Sequence, residues 1–324
     1  MDFQLTVLGS SGAVPAWGRF PSAQVLRVGH KVYLIDCGEG AQMRMQQLGV
    51  RPSRIKQVFI SHLHGDHILG LMGLLQSMSL MGREQPLTIF SPPGLRQMIE
   101  AFQQALSGKL RFDLQFVALP LNAHEQIFED GHLSVWSFPL KHHHMTVGYL
   151  FREKVRARKM RPECISRYQI PFTDIPAIKA GSDWVSPQGQ RLPNTLLTKA
   201  PPPLRSYAYC CDTAWEPKIV PYIAEVDLLY HDATFSETHA AQAAETQHST
   251  ARQAADIARR ARAGALVLGH FSARYPDINP LVEEAREVFP NVWAGLDGTS
   301  FSLDFRSKTL SVTGPGRELV WSGG

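Results

Sequence analysis

The sequence predicts a layered α/β fold. Two observations favour it: short runs of apolar and β-branched residues recur along the chain, and segments with helical spacing of apolar residues follow many of these runs. Such alternation of strands and helices favours packing in layers. With 324 residues, the chain is long enough for one large domain or two modest ones.

The first half of the chain contains most of the predicted strands. Apolar and β-branched runs predict them at 3–8, 24–28, 31–35, 57–60, 87–90, 114–118, 126–128 and 132–137. A Gly- and Ser-rich loop with Pro15, Arg19 and Pro21 joins the first two strands. Helical spacing predicts helices near 41–48, 68–78 and 93–106.

The alternation resumes at residue 206. Strands are predicted at 206–210, 226–230, 265–269, 291–294, 299–304 and 309–312, and helices at 216–223 and 280–288. A long Ala-rich helical region surrounds His248-Ser249-Thr250. There Ser249 or Thr250 can cap a helix that runs to 262.

Residues 152 to 206 interrupt this alternation. The segment begins with basic residues that only Glu153 opposes, namely Arg152, Lys154, Arg156, Arg158, Lys159 and Arg161. A short helical piece near 162–168 and the proline run 201–203 follow. The apolar periodicity is too weak for a core of its own, so we interpret approximately 152–205 as an inserted arm. Its basic residues form either a solvated face or a polyanion-binding surface, and both interpretations stay open.

The composition is that of an ordinary globular protein. Hydrophobic residues make up 44% and charged residues 19%, which excludes wholesale disorder. A formal net charge of +4 does not by itself indicate nucleic-acid binding. The four cysteines show no pairing pattern, which favours reduced thiols in a cytoplasmic protein. We predict a first strand rather than a signal peptide at the N-terminus, and no stretch approaches the ~20 apolar residues of a membrane helix.

A cluster of metal-ligand side chains lies between the predicted strand 57–60 and the helix that follows it. Its members are His62, His64, Asp66 and His67. Imidazole and carboxylate are the ligands that zinc and similar ions prefer, so the loop predicts a metal site. His62 and His64 can serve one ion, and Asp66 with His67 a second. A chance group of histidines in a polar loop is the weaker interpretation.

Two further candidate ligands follow later strands. Asp212 comes after the strand at 206–210, and His270 after the strand at 265–269. Taken singly, Asp212 fits a turn residue and His270 a hydrogen-bonded structural histidine. Ligands at the ends of neighbouring strands can face one crevice, however, so their joint placement with the first loop favours ligation.

Several motifs together resemble one known family. They are Ile35 to Gly40, Phe59 to His67, Pro139 to His142 with Gly148 and Tyr149, Cys211 to Thr213, His231 to Phe235, His248 to Thr250, and Gly269 to Tyr275. The chain is similar to ribonuclease Z in its short form, the tRNA 3′-processing endonuclease family of the metallo-β-lactamase fold. The His-x-His-x-Asp-His motif marks only the superfamily, whereas the two last motifs are much more specific.

The resemblance implies a fold and an assembly. The expected fold is a four-layer αββα sandwich of two mixed sheets with outer helices, forming a single hydrolase domain over 1–324 with the arm inserted in it. The expected enzyme is a zinc-dependent endoribonuclease that removes the 3′ trailer from precursor tRNA. We expect a cytoplasmic homodimer without membrane association, in which the arm of one subunit grips tRNA bound to the other.

The resemblance also implies a ligand set. One Zn²⁺ would be held by His62, His64 and His142, and a second by Asp66, His67 and His270, with Asp212 bridging them. Other divalent ions stay possible. The residues alone leave His143 and His144 as alternatives to His142, and only the spacing to Gly148-Tyr149 selects His142.

A mechanism follows from two ions roughly 3.5–4 Å apart, which can generate hydroxide at neutral pH. We expect the hydroxide to attack the phosphodiester after the tRNA body, with Asp66 accepting or orienting its proton. His248 would protonate the leaving 3′ oxygen and Asp232 would hold its tautomer. The products would be a tRNA 3′-hydroxyl and a trailer with a 5′-phosphate. The candidate substrate-binding residues are Ser272, Arg274, Lys154, Arg156 and Arg158.

The chain departs from the family pattern in two places. Asp232 stands where the family usually has Glu, which shortens the side chain that should orient His248. The segment 170–174 lacks the Gly-Pro tip of the family's typical arm. The first departure bears on the chemistry, and the second on how the arm binds the tRNA elbow.

Two alternative functions compete with the nuclease. One is another binuclear hydrolase of the same fold, acting on a small phosphodiester, cyclic nucleotide or sulfate ester. The basic residues at 152–161 and the last two motifs favour a polynucleotide over such a substrate. The other is an inactive RNA-binding scaffold, but every predicted ligand is present, whereas such proteins typically lose ligands.

Overall fold

The computed structural model describes residues 2–106, 109–314 and 317–320. The chain divides into two compact units. One unit combines the chain up to Arg152 with the chain from Arg205 onward, and the other is Glu153–Leu204. We call the first the main unit and the second the arm.

Strands and helices alternate along the chain, and β10 to β13 with α4 to α6 belong to the arm. The strands in chain order are β1 (Phe3–Gly9), β2 (Ala23–Val28), β3 (Lys31–Cys37), β4 (Ile55–Phe59), β5 (Leu87–Ser91), β6 (Leu114–Ala118), β7 (Glu125–Glu129), β8 (Leu133–Pro139), β9 (Val147–Glu153), β10 (Lys159–Met160), β11 (Trp184–Val185), β12 (Arg191–Leu192), β13 (Thr198–Lys199), β14 (Ser206–Cys210), β15 (Leu228–Asp232), β16 (Ala265–Gly269), β17 (Val292–Ala294), β18 (Ser300–Leu303), β19 (Leu310–Gly314) and β20 (Arg317–Val320). The helices are α1 (Ala41–Gln47), α2 (Gly65–Leu80), α3 (Leu95–Ala105), α4 (Pro162–Tyr168), α5 (Ile175–Ala180), α6 (Asn194–Leu197), α7 (Ala240–Glu245), α8 (Ala251–Ala261) and α9 (Asn279–Arg286).

The main unit contains two large mixed sheets. The first has the strand order β20-β19-β18-β1-β2-β3-β4-β5-β6, and the second β17-β16-β15-β14-β9-β8-β7. In the first sheet β3, β4, β5 and β6 run parallel, whereas β1, β2 and β3 are antiparallel. In the second sheet β14 to β17 run parallel, and β14 is antiparallel to β9.

The two sheets pack face to face over an aromatic core. Phe59 of the first sheet lies 5.5 Å from Tyr149 and 5.2 Å from Phe151 of the second, between ring centroids. The outer face of the first sheet packs on α2 through Leu71 and Leu74, and the Ala-rich face of α8 covers the second sheet. The predicted αββα order of layers is therefore confirmed. Aromatic and branched side chains suit such an interior because they bury much area at low cost in rotamer freedom.

Parallel pairing places the carboxyl ends of several strands at one edge of the main unit. β14, β15 and β16 are in register, so that Cys210 faces His231 and Asp232 faces Gly269. Asp212 and His270 follow directly in the chain. This edge is where open α/β sheets hold ligands, because loops from neighbouring strands converge there.

The arm has a small hydrophobic core of its own. Its buried members are Met160, Cys164, Ile170, Ile178, Trp184, Leu192 and Leu197. Two two-stranded sheets, β10 with β13 and β11 with β12, add backbone pairing. The prediction that this segment is too poor in apolar pattern to form a core was therefore wrong. Its apolar residues come one or two at a time from very short elements, which leaves no period to detect.

Several other elements differ from prediction, among them the following three. The predicted helix at 216–223 is only a 3₁₀ turn, Pro217–Ile219, because Pro221 has no N–H to continue the helical hydrogen bonds. The Ala-rich region is not one helix, since Gln247 adopts a φ of 54° and separates α7 from α8. Strand β9 was not predicted, although Val147 and Tyr149–Phe151 form an apolar run.

Thr250 caps α8 as predicted. Its side chain accepts a hydrogen bond from the Gln253 amide, and the Gln253 side chain accepts one from the Thr250 amide, which completes a capping box. Among the described residues, no helix combines the length and apolar character that crossing a membrane requires.

Two glycines of α2 provide a test of its packing. A Cβ at Gly70 would lie 2.0 Å from the Gly38 carbonyl oxygen, whereas a Cβ at Gly73 would meet no atom within 4 Å. We expect Gly70→Ala to lower the free energy of unfolding by about 1–3 kcal/mol, since backbone must move. Gly73→Ala is the matched control and should raise it by about 0.5–1 kcal/mol, because alanine loses less entropy in a helix. Denaturant unfolding of both variants measures the two effects, and equal stabilities would contradict this packing.

Candidate metal centre

The loop from β4 to α2 is anchored to both sheets. The Ile60 amide donates a hydrogen bond to the Phe90 carbonyl at 2.8 Å within the first sheet. The Val147 amide, in the second sheet, donates to the Ser61 carbonyl at 3.1 Å, and the Tyr149 hydroxyl donates to the Ile60 carbonyl at 2.5 Å. The loop that carries the candidate ligands is therefore fixed before any ligand is considered.

A first group of ligand atoms forms around Asp212. His62, His64, His142 and Asp212 each offer one atom, and these four atoms lie within 4.8 Å of one another. His62 Nε2 is 2.9 Å from His64 Nδ1 and 3.6 Å from Asp212 Oδ2, and His142 Nε2 is 4.0 Å from the same oxygen. Of the three adjacent histidines, His142 is the one that lies in this group.

A second group forms on the other side of the same carboxylate. His67 Nε2 lies 3.4 Å from Asp212 Oδ1 and 3.5 Å from Asp66 Oδ2. His270 Nε2 lies 3.2 Å from Asp212 Oδ1 and 3.3 Å from Asp66 Oδ2. Oδ2 of Asp212 faces the first group and Oδ1 faces the second, as a bridging carboxylate requires.

The donor set fits divalent cations. In a tetrahedral site with bonds of about 2.0–2.2 Å, ligand atoms lie about 3.3–3.6 Å apart, which is the spacing of the second group. The buried Nε2 atoms of His67 and His142 have no hydrogen-bond partner of normal geometry. Buried polar atoms are rarely left unpaired, so these two nitrogens indicate a ligand that the protein alone does not supply. Nitrogen and carboxylate donors of this kind suit zinc and similar ions.

The outward nitrogens of the histidines are held by groups that the sequence analysis did not assign. The bonded pairs are His62 Nδ1 with Ser61 Oγ at 3.0 Å, His67 Nδ1 with Asp36 Oδ2 at 2.7 Å, His142 Nδ1 with the Gln247 carbonyl at 3.0 Å, and His270 Nδ1 with Thr234 Oγ1 at 2.9 Å. Each contact aims the opposite Nε2 at the ligand cluster. Such partners fix the tautomer and ring orientation of metal-binding histidines.

Asp36 is the most connected of these missed residues. Its buried carboxylate accepts hydrogen bonds from the Ser61 amide and hydroxyl at 2.8 Å, from His67 Nδ1, and from the Tyr209 hydroxyl at 2.7 Å. Asp36 therefore links the metal loop to both sheets. Asp36 lies in the motif Ile35 to Gly40, which is the sequence feature that could have identified it as functional. The motif does not reveal which hydrogen-bond donors Asp36 contacts.

The buried imidazoles and carboxylates of the cluster shift one another's pKa values in opposite directions. Burial lowers the pKa of His64 to about 4 and that of His62 well below its usual range. Burial opposes ionisation of Asp212, but His270 and His67 outweigh it and hold the pKa of Asp212 well below its usual value. Burial also opposes protonation of His67, but Asp212 and Asp66 raise its pKa well above normal. Cations would replace the proton held there, since metal ligands must be deprotonated.

His248 and Asp232 form a pair beside the two groups. His248 Nδ1 is 2.7 Å from Asp232 Oδ2, and the His248 ring stacks 5.1 Å from that of His270. Asp232 is fully buried, and it also accepts from the Thr213 amide at 3.0 Å and from the Thr234 amide at 2.9 Å. The shorter carboxylate therefore reaches the imidazole. Burial disfavours protonation of His248, but Asp232 overcomes it and raises the pKa of His248 to about 9.

An open cleft of about 600 Å³ lies over the cluster. Its lining includes His64, His142, His143, His144 and His248. The side chains of His143 and His144 are exposed rather than joined to either ligand group. Asp66 and Asp212 lie in the cleft too, so a substrate phosphate entering it can approach both groups.

The candidate substrate-binding residues lie in both units. Ser272 and Arg274 follow His270 in the main unit, where Arg274 Nε lies 3.3 Å from Ser272 Oγ and the guanidinium lies 5.0 Å from the Phe235 ring centre. Within the arm, Arg156 pairs with Glu153 at 2.8 Å, and Arg158 donates to Thr198 Oγ1 at 2.7 Å. Lys154 is half-buried. Arg156 and Arg158 therefore also hold the arm together.

Comparison with known proteins agrees with this architecture. A family model described as anti-Pycsar protein Apyc1 matches residues 3–156. A curated ribonuclease Z of Parabacteroides distasonis is 42% identical over 302 residues, covering 93% of this chain and 99% of that protein. The crystal structure of human tRNase Z, short form, aligns with a TM-score of 0.67 at 26% identity, covering 92% and 98% of the two chains. The metallo-beta-lactamase fold protein YhfI of Bacillus subtilis aligns with a TM-score of 0.66 at 19% identity, covering 93% and 100%.

The two facing sheets, the outer helices and the His/Asp cluster at the strand ends define a protein of the metallo-β-lactamase fold with a divalent-metal site. Within this class, the sequence identity of 42% to a ribonuclease Z over 93% of the chain identifies the family. The chain belongs to the ribonuclease Z family.

The role of Asp36 can be tested with a neutral isostere. Asp36→Asn should lower zinc affinity about 10–100-fold, because the amide presents one acceptor where the carboxylate bonds Ser61 and His67. Asp130→Asn is the matched control, since Asp130 accepts from Lys31 and Tyr33 outside the ligand groups. Competition with a zinc indicator measures both variants. Equal zinc affinity in Asp36→Asn and wild type would contradict this role.

Proposed function

We propose that this chain is a metal-dependent endoribonuclease that removes the 3′ trailer from precursor tRNA. The observation that carries the proposal is the His248–Asp232 pair, which lies on the cleft beside two metal-ligand groups sharing Asp212. A metal cluster alone fits many hydrolases of this fold. A hydrogen-bonded histidine next to it adds a group that can transfer a proton to a leaving oxygen. Membership of the ribonuclease Z family supports tRNA as the substrate.

The seven ligands would hold two ions in the arrangement described above. His62, His64 and His142 would hold one, and Asp66, His67 and His270 the other, with Asp212 shared. When bound, the ions would supply activated water and charge stabilisation at the phosphodiester. We propose Zn²⁺ as the ion, because every protein donor is an imidazole or a carboxylate.

Asp66 and His248 divide the proton transfers. Asp66 is positioned by the Ala13 amide, which donates to its Oδ2 at 2.8 Å, and it takes or orients the proton of the attacking water. His248 keeps Nδ1 on Asp232, so its Nε2 is the atom that gives a proton to the 3′ oxygen. The bond between phosphorus and that oxygen breaks, leaving a 3′-hydroxyl on the tRNA and a 5′-phosphate on the trailer.

The candidate substrate-binding residues would bind the RNA backbone. Arg274 and Ser272 lie four and two residues after His270, and Arg274 is exposed. Lys154, Arg156 and Arg158 of the arm add positive charge that suits polyphosphate. Because Arg156 and Arg158 also bond within the arm, we expect them to contribute less to RNA affinity than exposed cations would.

We further propose a cytoplasmic homodimer with two Zn²⁺ per subunit. The four cysteines are all free and buried, which suits a reducing compartment. Sedimentation velocity tests the dimer directly: a monomer at micromolar concentration would overturn this part of the proposal.

A small-diester hydrolase of the same fold is the second candidate, because the metal-ligand groups alone fit both kinds of substrate. The anti-Pycsar protein Apyc1 family model matches only residues 3–156 and so omits Asp212, His248 and His270. The ribonuclease Z relative covers all of these positions. Parallel assays with a 3′-extended precursor tRNA and with bis(p-nitrophenyl) phosphate separate the two candidates, and cleavage of the small diester alone would favour the second.

The role of His248 predicts a large and specific defect. His248→Ala should slow cleavage of precursor tRNA about 10²–10⁴-fold, because the 3′ oxygen then leaves unprotonated. Metal content should not change, since His62, His64, His67, His142 and His270 remain. His30→Ala, at an exposed histidine of the turn between β2 and β3, is the control and should keep the wild-type rate.

A sulfur substitution makes this test sharper. If the scissile 3′ oxygen is replaced by sulfur, the leaving group needs no proton, and His248→Ala should lose far less rate. An equal loss with oxygen and with sulfur would exclude His248 as the proton donor.

Removal of metal should abolish cleavage. Incubation with excess chelator should reduce precursor tRNA cleavage to background, and added Zn²⁺ should restore it, because the ligand groups carry no other electrophile. Metal analysis by mass spectrometry should give about two ions per wild-type chain and about one in His270→Ala. Full activity of chelator-treated protein at background metal content would contradict the proposal.

A further inference from the structure

Trp17 is an exposed tryptophan on the loop that joins β1 to β2. It is 63% exposed, which is unusual for a side chain that loses so much by remaining in water. No aromatic ring or guanidinium of the described residues lies over its indole. Exposed tryptophans that are not packed by their own protein are common at binding surfaces.

The ring is nevertheless held in place. Trp17 Nε1 donates a hydrogen bond to the Ala273 carbonyl at 2.7 Å. Ala16 and Arg19 exchange backbone hydrogen bonds, so Trp17 and Gly18 form the centre of a two-residue turn with φ of 56° and 75°. A bulky residue is rare at positive φ, where Asn or Gly is favoured. The turn thus carries a residue that it does not favour, which points to a role for the ring.

The same loop is joined to the metal cluster. The Gly12 amide donates to the Phe271 carbonyl at 3.0 Å, and the Ala13 amide donates to Asp66. The buried Arg19 guanidinium donates to the Tyr275 carbonyl at 2.9 Å and the Ser272 carbonyl at 3.3 Å. Trp17 is therefore fixed between the residues that contact Asp66 and the segment that carries Ser272 and Arg274.

We propose that Trp17 is a stacking platform for a nucleobase of the RNA next to the cleaved phosphodiester, and so a substrate-positioning residue. This inference rests on the proposed function. Ala13 and His270 line the cleft, and Trp17 lies four residues after Ala13 with its Nε1 bonded to Ala273, three residues after His270. The indole is therefore tethered close to the rim of the cleft, where a nucleotide next to a phosphate bound in the cleft can reach it. Stacking on an aromatic face tolerates any base, which suits RNA ends of varied sequence. The Nε1–H bond to Ala273 holds the indole by its edge and leaves its faces for the base.

The test uses two variants that separate the ring from the turn. Trp17→Asn removes the ring but supplies a residue that the positive φ favours, so its melting temperature and metal content should equal or exceed those of wild type. Trp17→Phe keeps a ring and removes only the bond to Ala273. Phe102→Ala, at an exposed aromatic of α3, controls for the loss of any surface ring.

Single-turnover cleavage of a precursor tRNA gives the readout. Trp17→Asn should raise the half-saturating enzyme concentration about tenfold, Trp17→Phe about twofold, and Phe102→Ala not at all. Abasic residues are then placed one at a time at the three nucleotides on each side of the cleaved bond. One of these positions should weaken binding to wild type about tenfold and cause no further loss in Trp17→Asn.

The outcomes are distinguishable. If wild type does not cleave the precursor, the proposed function and this inference both fail. If wild type cleaves it and Trp17→Asn binds equally well, or if every abasic effect is the same in both proteins, only the stacking role is overturned.

Discussion

The Asp212 carboxylate is the contact on which the rest of the site depends. Its two oxygens face different ligand groups, so each group is complete only while Asp212 stays between them. That position requires β14 to end level with β4, β8 and β16, because the other ligands follow those strands. The parallel register of β14, β15 and β16 and the face-to-face packing of the two sheets provide this alignment. The fold is thus the means by which side chains from 62 to 270 meet at one edge.

Without metal, burying such a cluster is unfavourable in free energy, and contacts with the surrounding residues offset part of it. Buried carboxylates and unpaired imidazole nitrogens are unfavourable in a protein interior. Here Asp36, Thr234 and the Gln247 carbonyl hold the outward nitrogens in place. The Nε2 atoms of the histidines held in this way all face the metal-ligand groups. Those among them that are buried without a hydrogen-bond partner therefore lie where cations can bind them. Preorganisation of this kind lets bound ions keep their geometry during reaction.

The sequence indicated the parts of the site that are local and missed those that depend on distant contacts. His62 to His67 could be interpreted because the ligands, the strand before them and the helix after them lie within one short stretch. The function of Asp36 could not be inferred from the sequence, because its partners Ser61, His67 and Tyr209 lie far from it in the chain. The non-helical position of His248 depends on the positive φ of Gln247, a conformation that an Ala-rich sequence does not announce. The core of the arm was missed for a related reason, because its apolar residues lack any period.

The metal ligands explain hydrolysis but not the choice of substrate. Chains that share this fold at low identity can carry similar layers, so discrimination must come from groups that border the cleft. His248 is one such group: it is bonded by Asp232, whose carboxylate accepts further hydrogen bonds from the Thr213 amide and the Thr234 hydroxyl. The loop that carries Trp17 is constrained in the same way, through Ala13 on Asp66 and Arg19 on Tyr275. A side chain on such a loop can vary without disturbing the metal cluster, and this separation lets one hydrolytic centre be adapted to a particular RNA end.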